Sequence, residues 1–254
     1  MKKMWLIGLN TFRESMRKKT LYIILIFALI VIGASKLFSF LTAEEELKMI
    51  KDVSFSAIEF FGALMAIFGS LYAISTEIER RTIYTLLTKP IRRSDFVLGK
   101  FFGVSMIVLI NFILMTVFFI GLLFFKKSPP DLQVFKTLLL IFFELMLISG
   151  ITLALGTFTS DAFNIICSFF LYIVGHLTSY GKELVERTEN IIVRGLTDML
   201  YTLVPNYENF NIRDKIVVGL NVSWGYVGWT ILYGILYLCI ALYIALYFFE
   251  KREI

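Results

Sequence analysis

Residues 101–125 contain no Asp, Glu, Lys or Arg, and nearly all of their side chains are apolar. A transmembrane α-helix needs about 20 such residues to cross about 30 Å of hydrocarbon. Apolar residues make up 58% of the chain and charged residues 18%, whereas average protein usage is about 45–50% and about 25%. The mean hydropathy is +0.78. Together these values predict an all-α polytopic membrane protein.

Six stretches of this kind are delimited by their flanking charges. Lys36 lies near one end of the first and Glu59 at the edge of the second, while Glu144 and His176 fall inside the fourth and fifth. We expect one transmembrane domain over residues 1–254, surrounded by membrane lipid. Its six predicted spans are about residues 20–43, 57–76, 101–125, 137–160, 162–181 and 226–249.

Lys and Arg are concentrated in two segments that we expect to face the cytoplasm, because cytoplasmic flanks of membrane helices are enriched in positive charge. Residues 1–19 contain six of them and residues 75–100 contain six more. We predict a multi-pass protein of the cytoplasmic membrane with both termini inside. Residues 36–56, which include an acidic run, are then an outer loop. Residues 182–225 are extracytoplasmic, with one helix ending before Pro205 and a short second helix near residues 215–220.

The N-terminal segment carries an apolar stripe whose members recur at spacings of four, three and four. These residues are Trp5, Leu9, Phe12 and Met16. The pattern predicts an interfacial amphipathic helix over residues 1–19, with its Trp at the lipid headgroups. The alternative is that this segment extends the first span. The apolar run after Lys3 is too short for a signal-peptide core, so we expect an uncleaved first span.

The stretch STEIERRTIYTLLTKPIRRSDFVLGK, residues 75–100, joins the second and third spans. Besides its six positive residues it carries the acids Glu77, Glu79 and Asp95. Pro90 lacks an amide hydrogen and disfavours a helical Lys89, so a first helix should end there. Ser94 would cap a second helix with Asp95 in its first turn. We predict a helix, a break and a helix at the cytoplasmic surface. The alternative is that the positive charges only orient the chain.

This stretch resembles the membrane subunits of type-2 ABC transporters, the exporter-like permeases. In that family, acidic and basic residues precede Leu-Leu, Thr and Pro, and a Ser-acid pair begins the third span. The matching residues here are Glu77, Glu79, Arg80, Arg81, Thr82, Leu86, Leu87, Thr88, Pro90, Ser94 and Lys100. Arg81 stands where the family commonly has Gly, which affects the expected local bend. The layout of a surface helix and six spans is also similar.

The resemblance implies that residues 77–100 are a coupling segment that docks on an ATP-binding cassette subunit. The coupling residues it implies are Glu77, Glu79, Arg80, Arg81, Thr82, Leu86, Leu87, Lys89, Pro90, Arg92, Arg93, Ser94 and Asp95. It also implies a second permease copy, as a homodimer or with a related chain. ATP and Mg²⁺ would lie on the partner subunit, with no cofactor in this chain. Residues 203–214, LVPNYENFNIRD, also look like a subgroup associated with copper-enzyme maturation.

The chain itself has no recognisable catalytic motif. GHLTSYGKE, residues 175–183, looks like a phosphate-binding loop, but it has five residues between its glycines instead of four, and Glu183 replaces the required Ser or Thr. Cys167, Cys239 and the single His give no zinc, haem or disulfide spacing. The net charge of +5 arises beside apolar segments, so nucleic acid is not an expected partner.

Glu144 is the most informative polar residue inside the spans. Counted from Phe135 at about 1.5 Å per residue, it lies about 14 Å deep, where a charge costs about 2.5–3.5 kcal/mol on insertion scales. It should therefore face protein or water, either as a pathway residue or in a structural hydrogen bond. The candidate partners are Asn111, Thr152 and His176, and the candidate pathway residues are Glu144, Asn111, His176 and Glu59.

We therefore expect a permease subunit that moves a substrate by using ATP hydrolysed on a separate chain, and the resemblance to exporter-like permeases implies an exporter. Two other classes are compatible with the sequence. One is a secondary carrier driven by an ion gradient, with Glu144 as its proton site. The other is a membrane-anchored assembly protein without transport activity.

Overall fold

The computed structural model describes residues 2–35, 37, 43–79, 92–186, 204–217 and 219–251. Within these ranges the chain forms α-helices joined by turns, and Tyr207–Phe210 forms a 3₁₀ turn. The helices are α1 (Lys2–Ser15), α2 (Lys19–Ala34), α3 (Ala43–Glu79), α4 (Arg93–Phe125), α5 (Leu132–Phe158), α6 (Asp161–Glu186), α7 (Arg213–Val217) and α8 (Trp224–Lys251).

Several predicted features fall outside the described residues. These are the coupling residues Arg80, Arg81, Thr82, Leu86, Leu87, Lys89 and Pro90, and most of the predicted outer helix before Pro205. Glu77 and Glu79 belong to the last turns of α3, but their side chains are not described.

Five helices are long and apolar enough to cross a membrane. They are Glu45–Ile74 within α3, all of α4, all of α5, Asp161–Thr178 within α6, and all of α8. The first predicted span, residues 20–43, corresponds to α2, an apolar helix of only 16 residues. The chain is thus an all-helical, polytopic membrane protein.

α2 ends earlier than predicted, at Ala34 and not near residue 43. The Ser35 hydroxyl donates a hydrogen bond to the Ile32 carbonyl oxygen at 2.6 Å, a side-chain interaction that competes with the regular helical pattern. The predicted outer loop over residues 36–56 is also wrong over most of its length, because α3 begins at Ala43.

The early start of α3 has an electrostatic basis. Its first turn contains the acidic run at residues 44–46, and carboxylates are favourable at the positive end of a helix. Glu46 also accepts a hydrogen bond from Lys126, just after the end of α4. These charges, predicted to lie in a loop, extend the membrane helix beyond the apolar stretch.

The beginning of α4 is attached to the end of α8. The Nη1 atom of Arg93 donates to the carbonyl oxygens of Phe249 at 3.1 Å and Glu250 at 2.5 Å. The ring of Phe96 stacks on that of Phe249 with centroids 5.1 Å apart. Since terminal helix carbonyls lack partners in their own helix, Arg93 satisfies acceptors that would otherwise be unpaired.

The predicted cap of this helix is wrong. Arg92 occupies the N-cap position and makes no side-chain cap hydrogen bond, and Ser94 is already within the helix. The prediction that Asp95 lies in the first turn is confirmed. The backbone of Arg92 is extended, and the helix begins at Arg93, two residues before the start predicted at Asp95.

α1 packs along the first turns of α4 through small residues. The buried face of α1 consists of Gly8, Thr11 and Ser15. On α4, an added Cβ would lie 2.8 Å from the Met4 carbonyl oxygen at Gly99 and 2.6 Å from the Gly8 carbonyl oxygen at Gly103. Glycine allows such close approach between helix backbones. The predicted apolar stripe of α1 contains none of these small residues, so it did not predict this contact face.

The residues of the stripe have different surroundings. Trp5 is about half exposed, and its ring lies 4.9 Å from that of Phe102, centroid to centroid. Phe12 instead packs against a buried apolar cluster that includes Ile24 and Ile107. α1 is therefore packed against α4, while the Trp5 side chain remains about half exposed.

α3 and α5 lie at the centre of the bundle, where most of their residues are buried, whereas few residues of α6 and α8 are buried. The segment after Val204 returns into this centre. Tyr207, Phe210 and Ile212 belong to the same apolar core as α3 and α5. Part of the predicted outer segment is thus inserted among the membrane helices, and α7 overlaps the short helix predicted near residues 215–220.

Candidate functional site

Glu59 on α3, Glu144 on α5 and His176 on α6 meet inside the bundle. The Nε2 atom of His176 lies 2.8 Å from Oε1 of Glu59 and 3.3 Å from Oε1 of Glu144. One potential ligand atom from each residue lies within 4.8 Å of the other two. Glu59 is 4% exposed and Glu144 1% exposed, so both carboxylates depend on protein groups for their solvation.

Arg213 brings a guanidinium to the same place from α7. Its Nη1 atom lies 3.5 Å from Oε2 of Glu59 and donates a hydrogen bond to the Ser56 hydroxyl at 2.5 Å. Glu59 therefore faces His176 with one oxygen and Arg213 with the other. We call Glu59, Glu144, His176 and Arg213 the buried polar cluster.

Side-chain hydrogen bonds shape the segment that carries Arg213. Oδ1 of Asn206 accepts from the Glu208 backbone amide at 3.0 Å. Oδ1 of Asn211 accepts from the backbone amide and Nε of Arg213 at 3.2 and 3.0 Å. Asn side chains commonly form turns by bonding to the backbone two residues on. Two such turns therefore direct the Arg213 side chain toward α3.

Tyr207 holds this segment against α6. Its ring lies 5.5 Å from the His176 ring, centroid to centroid. A Cβ added at Gly175 would overlap the Tyr207 ring and lie 2.8 Å from the Pro205 carbonyl oxygen. Glycine is thus needed at this contact because the returning segment reaches the backbone of α6.

Glu208 lies at the edge of the cluster. Partial burial raises the pKa of its carboxyl, while the hydrogen bond from Asn211 and the charge of Arg213 oppose that shift. The segment 204–217 therefore places a further carboxyl group, that of Glu208, beside the cluster, and partial burial disfavours its charged form.

Among the three predicted partners of Glu144, the structure brings only His176 to its carboxylate. The hydrogen bond that Asn111 makes is within its own helix, where its Nδ2 donates to the Ile107 carbonyl oxygen at 2.8 Å. Asn111 lines a small pocket with residues of α1 and α2, among them Ser15 and Leu21. The Thr152 hydroxyl has no hydrogen-bond partner among the described residues. Glu59, predicted at the edge of a span, is a central member of the cluster.

Arg213 and Tyr207 were not predicted to belong to the cluster. Both lie in LVPNYENFNIRD, which was noted only for a family resemblance. A usable signal was present, since an Arg and two Asn turn formers follow a Pro in an apolar context. The side chains that Arg213 would reach were not predictable from that local pattern.

The described part of the coupling segment lies at one end of the bundle. Arg92 is exposed, Ser94 and Asp95 are half-buried, and Arg93 contacts the end of α8. These residues are far along the chain from the buried polar cluster, but α3 passes through both regions.

These features define a polytopic helical membrane protein with a buried polar cluster and a charged segment between two of its spans. The chain matches the family model described as ABC-2 family transporter protein over residues 5–254, and it belongs to that family. It is thus the membrane component of an ABC transporter and is not itself the ATPase. The match does not resolve a subgroup. Among curated proteins, none matches the chain significantly.

Proposed function

We propose that this chain is a permease subunit that moves a substrate across the cytoplasmic membrane with energy from ATP hydrolysed on a separate subunit. The observation that carries this proposal is the family match over residues 5–254. The chain would work as one of two permease copies, identical or related, with both termini on the cytoplasmic side. Two ATP-binding subunits would hold ATP and Mg²⁺, and export is the proposed direction.

Residues 77–95 are the proposed docking site for the ATP-binding subunit. They run from the end of α3 to the beginning of α4, so a force applied to them acts on two membrane helices. The start of α4 is also bound to α8 through Arg93 and packed on α1 through Gly99 and Gly103. Movement of the docking site would thus be shared by four helices.

α3 offers a direct connection from the docking site to the buried polar cluster. Glu59 precedes the end of α3 at Glu79 by 20 residues, which corresponds to about 30 Å of continuous helix. A rigid helix can transmit a displacement over such a distance when its far end has two alternative arrangements. The second arrangement would be one in which Arg213 and His176 have moved away from Glu59.

The buried polar cluster is the proposed outer gate of the pathway. Arg213 closes the segment 204–217 onto α3, and His176 joins α3 to α6. Opening toward the outside would require these contacts to separate. ATP-driven closure of the partner subunits would shift the population between closed and open states.

The complex itself provides the test. An affinity-tagged chain is purified from its native membranes, the co-purifying proteins are identified, and ATP hydrolysis and transport are measured in proteoliposomes. We expect an ATP-binding subunit and a transport activity that a hydrolysis-deficient partner abolishes. Transport that needs only an ion gradient would instead support a secondary carrier, and a complex without transport would support an assembly role.

Two variants test the docking site without changing its positive charge. Pro90→Ala should allow a continuous helix and reorient the docking surface, while Glu79→Ala removes one acidic group. We expect Pro90→Ala to reduce the co-purifying ATP-binding subunit or the transport per ATP hydrolysed. Glu79→Ala should have a smaller effect, because charge pairs at an interface rim are often worth about 1 kcal/mol or less. Unchanged association and coupling in Pro90→Ala would leave these residues with an orienting role only.

A further inference from the structure

The side chain of His176 has a defined orientation within α6. Its Nδ1 atom lies 3.0 Å from the backbone carbonyl oxygen of Tyr172. A carbonyl oxygen only accepts hydrogen bonds, so Nδ1 carries the hydrogen in this contact. In a neutral imidazole, Nε2 then has a lone pair, and that lone pair faces the carboxylates of Glu59 and Glu144.

This arrangement places three electron-pair donors around one point. A proton or a metal cation in the space between them relieves the repulsion of a lone pair and two carboxylates in an apolar interior. A proton on Nε2 could form one good hydrogen bond, to Oε1 of Glu59 at 2.8 Å. Oε1 of Glu144 would remain buried, and it has no hydrogen-bond partner among the described residues.

We propose that Glu59, Glu144 and His176 form a binding site for a divalent transition-metal cation of the Zn²⁺ class. Imidazole nitrogens and carboxylate oxygens are both ligand types that Zn²⁺ accepts in proteins. With metal–ligand distances of about 2.0–2.2 Å and tetrahedral angles, neighbouring ligand atoms are about 3.3–3.5 Å apart. The His176–Glu144 separation is 3.3 Å, the His176–Glu59 separation is 2.8 Å, and all three ligand atoms lie within 4.8 Å of one another, so binding requires an outward shift at Glu59.

The surrounding contacts support the same assignment. Histidine ligands usually donate their second ring hydrogen to a carbonyl or carboxylate, as His176 does to Tyr172. Arg213, which donates to the Ser56 hydroxyl, lies beside Oε2 of Glu59. Oε1 is thereby directed toward the site. The imidazole ligand and the few oxygens favour Zn²⁺ over Mg²⁺ or Ca²⁺, which prefer more oxygen ligands.

The site would join α3, α5 and α6 through residues of this chain alone. It therefore does not depend on the proposed ATP-binding partner or on transport. A bound cation would hold the three helices together where the segment 204–217 contacts them. The proposed outer gate could fail its own test while this metal site remained, and the reverse is also true.

The binding test uses the full-length chain in detergent with Cys167→Ser and Cys239→Ser, which removes competing thiolates. After treatment with a chelator, Zn²⁺ is titrated and its stoichiometry and dissociation constant are measured. Co²⁺ serves as a spectroscopic probe, since tetrahedral Co²⁺ absorbs visible light far more strongly than aqueous Co²⁺. The chain has one His, so an imidazole signature at bound Co²⁺ identifies His176 in an untagged protein.

We expect one Zn²⁺ per chain and a tetrahedral Co²⁺ spectrum with an imidazole ligand. His176→Gln and Glu144→Gln should each weaken Zn²⁺ binding at least about tenfold, since even second-shell changes cost about 10–100-fold in metal affinity. Glu46→Gln is the matched control, because Glu46 lies on the same helix as Glu59 but pairs with Lys126. The Zn²⁺ affinity of the Glu46→Gln variant should equal that of the background protein.

Two results would overturn the proposal. One is equal Zn²⁺ affinity in His176→Gln and in the background protein, which would place the ion elsewhere. The other is a Co²⁺ spectrum of the background protein that matches aqueous Co²⁺, which needs no variant to interpret. In either case the cluster would be an internally neutralised set of ion pairs.

Discussion

Replacing Arg213 by Met removes the positive charge that lies 3.5 Å from Oε2 of Glu59. At that separation the attraction between unit charges is about 5 kcal/mol with an effective dielectric constant of about 20. Removing one member of a buried pair generally costs about 3–5 kcal/mol, because the other charge remains buried without its partner. The side chains of Arg213 and Glu59 are 18% and 5% exposed, so solvent relieves part of this cost. We expect the free energy of unfolding to fall by about 2–4 kcal/mol.

Lys51→Met is the matched control for this prediction. Lys51 lies 3.9 Å from Asp131, and its side chain is also 18% exposed, but the Asp131 side chain is 56% exposed. An ion pair with such access to water is typically worth about 1 kcal/mol or less. The two variants therefore compare similarly exposed cations whose acidic partners differ in burial.

Unfolding in mixed micelles with increasing dodecyl sulfate, in the presence of a chelator, gives the free energies for both variants. A double variant, Glu59→Gln with Arg213→Met, tests the cause. Because it removes both charges together, we expect it to be destabilised by less than the sum of the single changes. Equal destabilisation by Arg213→Met and Lys51→Met, together with additive effects in the double variant, would refute the argument.

Three further predictions concern packing, the pathway and topology. Gly103→Leu should destabilise the protein by about 1–3 kcal/mol through overpacking against α1, whereas Gly121→Leu, where a Cβ would meet nothing within 4 Å, should change thermal stability little. Similar melting temperatures for the two would argue against the close contact of α1 with α4. Glu144→Gln should reduce transport or substrate-stimulated ATP hydrolysis while the complex still assembles, and activity equal to wild type would restrict Glu144 to a structural role. Single cysteines at Glu46 and Glu208, in a background without native cysteines, should react with an impermeant thiol reagent added outside. Labelling of position 208 only from the cytoplasmic side would contradict the proposed orientation.

The membrane class and the approximate location of the long helices were predictable from sequence because they depend on local composition. The charge-free residues 101–125 lie entirely within α4, and the predicted fourth and sixth spans fall largely within α5 and α8. Burial of apolar surface in lipid requires about 20 consecutive apolar residues. Such a run is visible without knowledge of the rest of the fold.

The limits of the helices were less predictable because charged residues extend them. α3 continues through the acidic run at residues 44–46, which apolar content alone assigned to a loop. α4 begins at Arg93, two residues earlier than predicted, and the Arg93 side chain binds the end of α8. The local sequence pattern predicted a different start for each of these two helices. At each observed start, a charged side chain contacts the end of another helix.

Sequence alone also determined that Glu144 needs a partner, because a carboxylate deep in an apolar span must be solvated by something. It did not determine which partner, and Asn111, Thr152 and His176 were equally acceptable. In the tertiary structure His176 is the partner of Glu144. His176 also contacts Glu59, which lies 117 residues from it along the chain. The same folding brought Arg213 onto Glu59 and the small residues of α1 onto Gly99 and Gly103. Periodicity and composition describe the face of a single helix, whereas these contacts depend on the path of the chain between helices and on how closely their backbones approach.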